Sequence, residues 1–322
     1  MLYILFDKTG CSPSFISQHI QNATTIEVYS PSHKIKNQLL CWIVGVLKVL
    51  SRSKNKDTII CWFDFQAVIC YWFCKLLYKK RKIICLNILL KDKKTIKNKI
   101  VSILYRKALL SPNFKASITS ICYGKWLNHK LNLDINYTLI HDVYHKSYEF
   151  KTDYIPNKKV FCGGRNGRDW DFIIKLAKEL PDIQFVMIMP ETTYKQNMNN
   201  LSPNIEAKYE VPYHEFMKAL CTSSIVCLPL NTEAPAGLIV LFQAAANHKL
   251  VLTTDTVTTR EYINKDRGIL LDNKIDLWIE AIQFYMNNDI LRKSLARNLH
   301  NYLKIECSEK KYIDAIKLLI SC

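Results

Sequence analysis

The chain has 322 residues, 49% of them hydrophobic and 23% charged, a globular balance that excludes general disorder. The formal net charge of +17 sits almost wholly in one half: residues 1–150 hold 23 Lys and Arg against 8 Asp and Glu, and the remainder holds 22 against 20. Such length calls for two domains of about 150 residues each. The basic half calls for an anionic partner, and nucleic acid, an acidic membrane surface and a phosphorylated substrate all fit. A lysine-favouring genome would raise the charge everywhere, so it does not account for one basic half.

In chain order, "LYILFD" (2–7) reads as a first strand, because its apolar run is short and no basic segment precedes it. Further strands are expected at 24–30, 57–64, 81–90, 115–120 and 137–143, with helices such as 66–79 and 98–109 between them. "LLCWIVGVLKVL" (39–50) is the most apolar stretch, but Lys48 interrupts it and it falls short of about 18 apolar residues. It suits a core helix, or a surface that rests on a membrane. The polar stretch 148–159, with Pro156, reads as a linker. After it the alternation is regular. Strands are expected at 159–163, 183–189, 204–211, 225–230, 250–255 and 268–271, helices at 170–180, 213–221, 237–248 and 258–263, and two or three helices from 274 to 321. Apolar strands alternating with helices mean a parallel sheet covered on both faces. The class is therefore α/β, with two Rossmann-like doubly wound parallel-sheet domains: 1–150, 151–306, and a last helix within 307–322 that packs back on the first domain.

Twelve cysteines are many, yet no Cys-x-x-Cys occurs and no His clusters near them, so buried thiols in a reducing compartment are expected. "DWD" (169–171) opens a helix, where the two carboxylates diverge by about 200°, so it does not read as a metal site.

Only eight glycines occur in the chain, and Gly163, Gly164 and Gly167 fall within "GGRNG". The segment is a strand end, a glycine turn and a helix start, where ligands of open parallel sheets sit. Backbone N–H groups, the helix dipole, Arg165 and Arg168 could together hold a phosphate there. A tight left-handed turn alone would need the same glycines. A second turn, at Gly237, opens a helix so apolar that it must be buried, with Gln243 as its lone strong polar group. A buried amide needs partners, which sugar hydroxyls or a neighbouring backbone could supply. Asp64 ends a strand before a helix; it suits an acceptor-activating carboxylate and equally an N-cap. "KLLYKKRKIICLNILLKDKKTIKNK" (75–99) interleaves basic and apolar side chains, as anionic lipid would require, and carries no nucleic-acid module signature.

"VFCGGRNGRDWDFIIKLAKEL" followed by "PAGLIVLFQAAANHKLVLTTDTVTTREYI" resembles the nucleotide-sugar-binding half of GT-B glycosyltransferases, in particular the glycosyl transferases group 1 (family 4-like) family. The resemblance covers about 159–290 well and the first half loosely. It implies the GT-B fold, with its two domains facing a central cleft. It further implies transfer of a sugar from a nucleotide-sugar to a polysaccharide or lipid-linked oligosaccharide, with retention and without metal or cofactor. Gly163 and Gly164 would line the donor diphosphate, with Arg165 or Arg168 as its clamp. Gly237, with Ala236 and Leu238, would approach the donor sugar and phosphate, Gln243 the ribose, Tyr213 the base and Glu233 the donor sugar. Asp64 is the candidate catalytic residue. The family's Glu-x7-Glu pair is missing, since Pro235 and Gln243 occupy its positions; a non-catalytic sugar-binding homologue in an assembly complex is the alternative reading. The expected location is the cytoplasm, peripheral on the inner membrane face, without nucleic acid; oligomeric state is left open.

Overall fold

The structure, a computed structural model, describes residues 1–7, 14–20, 22–29, 35–90, 95–150 and 157–321. Residues 151–156 of the expected linker and 91–94 of the basic stretch lie outside these. The chain divides into two compact units, Met1–His141 with Lys310–Cys322, and Asp142–Glu309.

The first unit alternates β1 (Leu2–Asp7), α1 (Ser14–His19), β2 (Ala23–Val28), α2 (Ile35–Arg52), β3 (Thr58–Cys61), α3 (Asp64–Leu76), β4 (Lys82–Cys85), α4 (Ile96–Leu109), β5 (Phe114–Ile118), α5 (Ile121–Leu131) and β6 (Thr138–Leu139). All paired strands are parallel, in the order β2-β1-β3-β4-β5-β6. The central strands are buried throughout because both faces are covered; Ile59, Ile60, Ile83 and Ile84 are almost wholly inaccessible. Only one side of α2 joins the core: Val46, Val49 and Leu50 are buried, whereas Leu39, Leu40, Val44 and Leu47 are exposed. The expected core helix is thus buried on one face only and carries apolar side chains on its exposed face as well.

The second unit runs β7 (Asn157–Gly163), α6 (Trp170–Lys178), β8 (Gln184–Met189), α7 (Glu191–Asn197), β9 (Ile205–Tyr209), α8 (Tyr213–Thr222), β10 (Ser223–Leu228), α9 (Leu238–Ala246), β11 (Leu250–Thr254), α10 (Thr259–Tyr262), β12 (Ile269–Leu271), α11 (Ile275–Asn287) and α12 (Asp289–Glu306). The final helix, α13 (Glu309–Ser321), belongs to the first unit from Lys310 onward, where Lys82 Nζ donates to the Ile320 carbonyl at 2.6 Å. The sheet order is β12-β11-β10-β7-β8-β9, again parallel. Strand periodicity splits the core. Phe161, Val186 and Ile188 face one cluster, packed with α8, α9 and α12; Val160, Cys162, Phe185 and Met187 face another with α6 and α11.

This topology decides where a ligand can sit. Chain order reverses between β7 and β10, the first and fourth strands of the unit, and ligands of such sheets bind beyond the carboxyl ends at that reversal. The glycine turn 163–169 follows β7, and the turn ending at Gly237 follows β10.

No helix among the described residues is long and apolar enough to cross a membrane, and no group of His, Cys, Asp or Glu there could hold a metal ion. Every described cysteine is free.

Candidate functional site

The two turns are stitched together by backbone bonds. Arg168 bridges Leu230, Asp169 N–H donates to the Pro229 carbonyl at 2.9 Å, and Asn231 N–H donates to the Gly167 carbonyl at 3.1 Å. Asn273 reinforces the junction, its Nδ2 donating to the Leu230 carbonyl at 3.0 Å and to Asp169 Oδ2 at 3.4 Å. The other Asp169 oxygen caps α6 by accepting from Phe172 N–H at 3.1 Å, so "DWD" supplies a cap, and Asp169 is committed to structure.

Arg168 lies at the centre. It is 5% exposed, and burial pushes its guanidinium below the usual arginine range. Nε donates to the Gly163 carbonyl at 2.9 Å and Nη1 to the Asn166 carbonyl at 3.2 Å. No carboxylate pairs with it among the described residues. Glycines flank it on both sides. A Cβ on Gly164 would lie 2.7 Å from Nη2, and one on Gly237 would lie 3.0 Å from Nη1. Both glycines have positive φ, 121° and 79°, which side chains resist. Gly163 has no room either, for its Cβ would fall 2.5 Å from the Phe161 ring.

Helix α9 begins beside this guanidinium. Its N-cap is Gly237 in the left-handed region, with no side-chain cap. The first intrahelical bond runs from Leu241 N–H to the Gly237 carbonyl at 2.9 Å. The N–H groups of Leu238, Ile239 and Val240 therefore have no partner among the described residues. Ala236 and Leu238 are buried on either side of Gly237. A buried cation and a bare helix N-terminus share one spot, and an anion satisfies both.

Gln243 occupies the same helix two turns on, 5% exposed, and its Oε1 is buried without a partner among the described residues. Burial pushes the phenol of Tyr213, at the start of α8, above its usual range, and the nearby Gln243 side chain draws it down less strongly. Gln243 and Tyr213 thus form one pair, and Gly163, Gly164, Arg168 and Gly237 one cluster. Arg165 is exposed on the turn and makes no part of that cluster. Glu233 is tied elsewhere: Oε2 accepts from Val257 N–H at 2.8 Å, and its carbonyl accepts from Thr258 Oγ1 at 2.8 Å. That carboxylate holds the 256–259 loop. Sequence reasoning missed Asn231 and Asn273, which fix the two turns, because neither carries a spacing signal.

Asp64 belongs to the other unit and follows β3, at the chain reversal between β1 and β3. Phe63 is the N-cap of α3 and Asp64 its first residue, so the alternative N-cap role does not apply. The carboxyl is 2% exposed; one oxygen accepts from Phe65 N–H at 2.8 Å and the other from Leu89 N–H at 2.9 Å. Burial holds its pKa above the usual carboxylate range, against the pull of Leu89 N–H, the Tyr105 side chain and Phe65 N–H. A carboxyl engaged in this way anchors segment 86–90 and is almost wholly closed to solvent. An acid with a raised folded pKa adds stability below its unfolded value, near 3.8, and loses it as pH rises through the folded pKa. Wild type minus Asp64→Asn stability, measured by urea unfolding across pH, is therefore expected to decline from pH 3.8 upward; a difference that grows with pH contradicts this.

Residues 166–302 match the sequence profile of the family described as Glycosyl transferases group 1. No curated protein sequence matches the chain significantly. Among solved structures, HepE of Anabaena in complex with UDP and glucose is similar along 100% of both chains, at 11% identity and a TM-score of 0.76. Sucrose-phosphate synthase from Thermosynechococcus elongatus is similar over 92% of this chain and 82% of its own, at 12% identity and a TM-score of 0.73. A TarM variant from S. aureus, in complex with Fondaparinux, alpha-GlcNAc-glycerol and UDP, is similar over 89% of this chain and 59% of its own, at 14% identity and a TM-score of 0.66. Likeness at such identities establishes the fold. The chain thus has the GT-B fold of these structures along its length, and residues 166–302 carry the group 1 glycosyl transferase profile.

Proposed function

We propose that the chain transfers a sugar from a nucleoside-diphosphate donor, UDP-linked in the first instance, to a glycan or lipid-linked oligosaccharide. The observation that carries this reading is Arg168, a buried guanidinium without a carboxylate, held between Gly164 and Gly237 at the uncapped start of α9. An isolated buried charge is costly and is retained where a ligand supplies the counter-charge. A donor diphosphate does so, and the same groups then stabilise the charge that develops on the departing diphosphate, where transfer most needs help. UDP in the complexes of HepE and TarM supports uridine as the base.

In this proposal Arg168 and the first-turn N–H groups of α9 hold the diphosphate. Gln243 offers its unpartnered Oε1 to a ribose hydroxyl, and Tyr213 borders the base. Gly163, Ala236 and Leu238 shape the walls, Arg165 meets the diphosphate only from solvent, and Glu233 and Asp64 position loops. Charge stabilisation by fixed donors needs no metal, and transfer proceeds with retention, as the family resemblance implies. The acceptor is met by the basic first unit, in the cytoplasm on the inner face of a membrane.

A thermal-shift screen over UDP-, GDP- and other activated sugars tests the reading, since a ligand bound only by the folded state raises Tm. UDP-sugars are expected to raise it; no shift with any nucleotide-sugar contradicts the proposal. Gln243→Ala should weaken UDP binding about tenfold, the worth of one neutral hydrogen bond. It should leave inorganic pyrophosphate binding unchanged, as calorimetry would read; equal losses for both ligands would remove Gln243 from the ribose.

A further inference from the structure

One end of the first unit, remote in sequence from the donor site, combines side chains that neither folding nor sugar transfer explains. Helix α3 ends at Leu76, and the chain turns through Leu77 and Tyr78 into β4. Lys79 N–H donates to the Cys74 carbonyl at 2.8 Å and Tyr78 N–H to the Lys75 carbonyl at 3.3 Å. This closure places its central residue in the left-handed region, a position that favours glycine. Tyr78 occupies it with φ of 52°, and its side chain is 94% exposed. Leu76 is 72% exposed, and Leu77 is exposed as well. A large aromatic where glycine fits best, standing in water beside two leucines, points to an outside partner.

The charge around the turn identifies that partner. Lys75, Lys79 and Lys80 are exposed within it, and Lys54 and Lys56 are exposed on the neighbouring turn, joined to it by Lys56 N–H donating to the Lys80 carbonyl at 2.9 Å. Between Arg52 and Lys82 the acids are Asp57 and Asp64, and both are buried. Asp57 is further committed to the Met1 ammonium at 2.7 Å. Nothing acidic on these turns offsets the lysines. Helix α4 extends the surface. Lys75 and Lys107 both stand over the Trp72 ring, at 5.2 and 6.0 Å, which joins the end of α4 to the turn. Along its outward face α4 exposes Ile96, Ile100, Ile103 and, just past its end, Leu110, with Lys99, Arg106 and Lys107 beside them.

We propose that Leu76–Lys80 and the outward face of α4 form a docking surface for an anionic lipid bilayer, with Leu76, Leu77 and Tyr78 entering the interface and the lysines meeting the headgroups. Apolar insertion combined with several basic side chains is what a bilayer surface rewards; a nucleic acid uses the charge and has no place for exposed leucines. This deepens the membrane-side part of the proposed function and is independent of the donor site.

The test is co-sedimentation of the full chain with vesicles of phosphatidylcholine alone, or of phosphatidylcholine with phosphatidylglycerol. Binding is expected only to the anionic vesicles, and it should weaken with salt. Lys79→Glu with Lys80→Glu should weaken it at least about tenfold, and Leu77→Ser with Tyr78→Gly should do so as well. Glycine suits the φ of 52° at position 78, so that pair should keep or raise Tm, which separates lost docking from unfolding. Absence of anionic-vesicle binding overturns the proposal. So does full binding by the Leu77/Tyr78 variant, or duplex DNA bound as tightly as the vesicles. The UDP thermal shift, read on the same samples, reports the donor site separately.

Discussion

Replacing Arg168 by alanine is expected to abolish the thermal shift with UDP-sugars and to lower kcat/KM by about 10²–10³-fold, the usual cost of removing one fixed donor from a developing charge. The size follows from its setting. The guanidinium is 5% exposed, without a carboxylate partner among the described residues, and bonded to two backbone carbonyls. Charge-assisted bonds are about twice as strong as neutral ones, and in a dry site little competes with them. Circular dichroism should show Arg168→Ala folded, because the ties between the turns run through backbone and Asn273 and remain. Arg165→Ala, on an exposed residue, should cost far less. Equal losses from the two variants would mean that position 168 holds no privileged role.

Gly164→Ala is the second large effect expected. The new methyl would sit 2.7 Å from Arg168 Nη2, closer than a Cβ contact allows, and the backbone there has φ of 121°. Either the guanidinium leaves its place or the turn reforms. Both outcomes separate the cation from the start of α9, so donor binding should fall by at least about tenfold, with a stability cost of roughly 1–3 kcal/mol from the backbone. Calorimetry with UDP and urea unfolding read the two effects. Gly268 has a similar φ of 141° but packs against Val251 and Ile263, away from Arg168, and Gly268→Ala should lose stability while keeping UDP affinity. If Gly164→Ala binds UDP as wild type does, the two turns do not form one site.

Most of the strand scaffold could be read from the sequence, because a strand buried on both faces is a continuous apolar run. β8 and β10 show this directly, being almost entirely inaccessible. Helices with little apolar surface could not. α7 buries no residue at all, and α5 follows a sequence, "ICYGKWLNHKL", without a clear stripe. The end of α3 misleads for another reason. "KLLYKK" continues an apolar helical pattern, yet the helix stops at Leu76 because Tyr78 takes up a left-handed conformation that no periodicity signals.

The same division holds at the site. A cluster of glycines in a glycine-poor chain marks the turn. Which arginine turns inward depends on φ values at Gly164 and Gly167 that the sequence does not state. The partners of Asp64 and Glu233 lie 25 and 24 residues away, at Leu89 and Val257. The sequence therefore suggests a reactive carboxylate at Asp64 and a sugar contact at Glu233, where the fold uses both side chains as tethers.

The central claim is that one diphosphate bridges the turn after β7 and the start of α9. A crystal structure of the chain with UDP tests it most directly. The account predicts phosphate oxygens within hydrogen-bond distance of the Arg168 guanidinium and of the backbone N–H groups that open α9. Diphosphate bound elsewhere, with Arg168 still facing Gly164 and Gly237 unliganded, would contradict it.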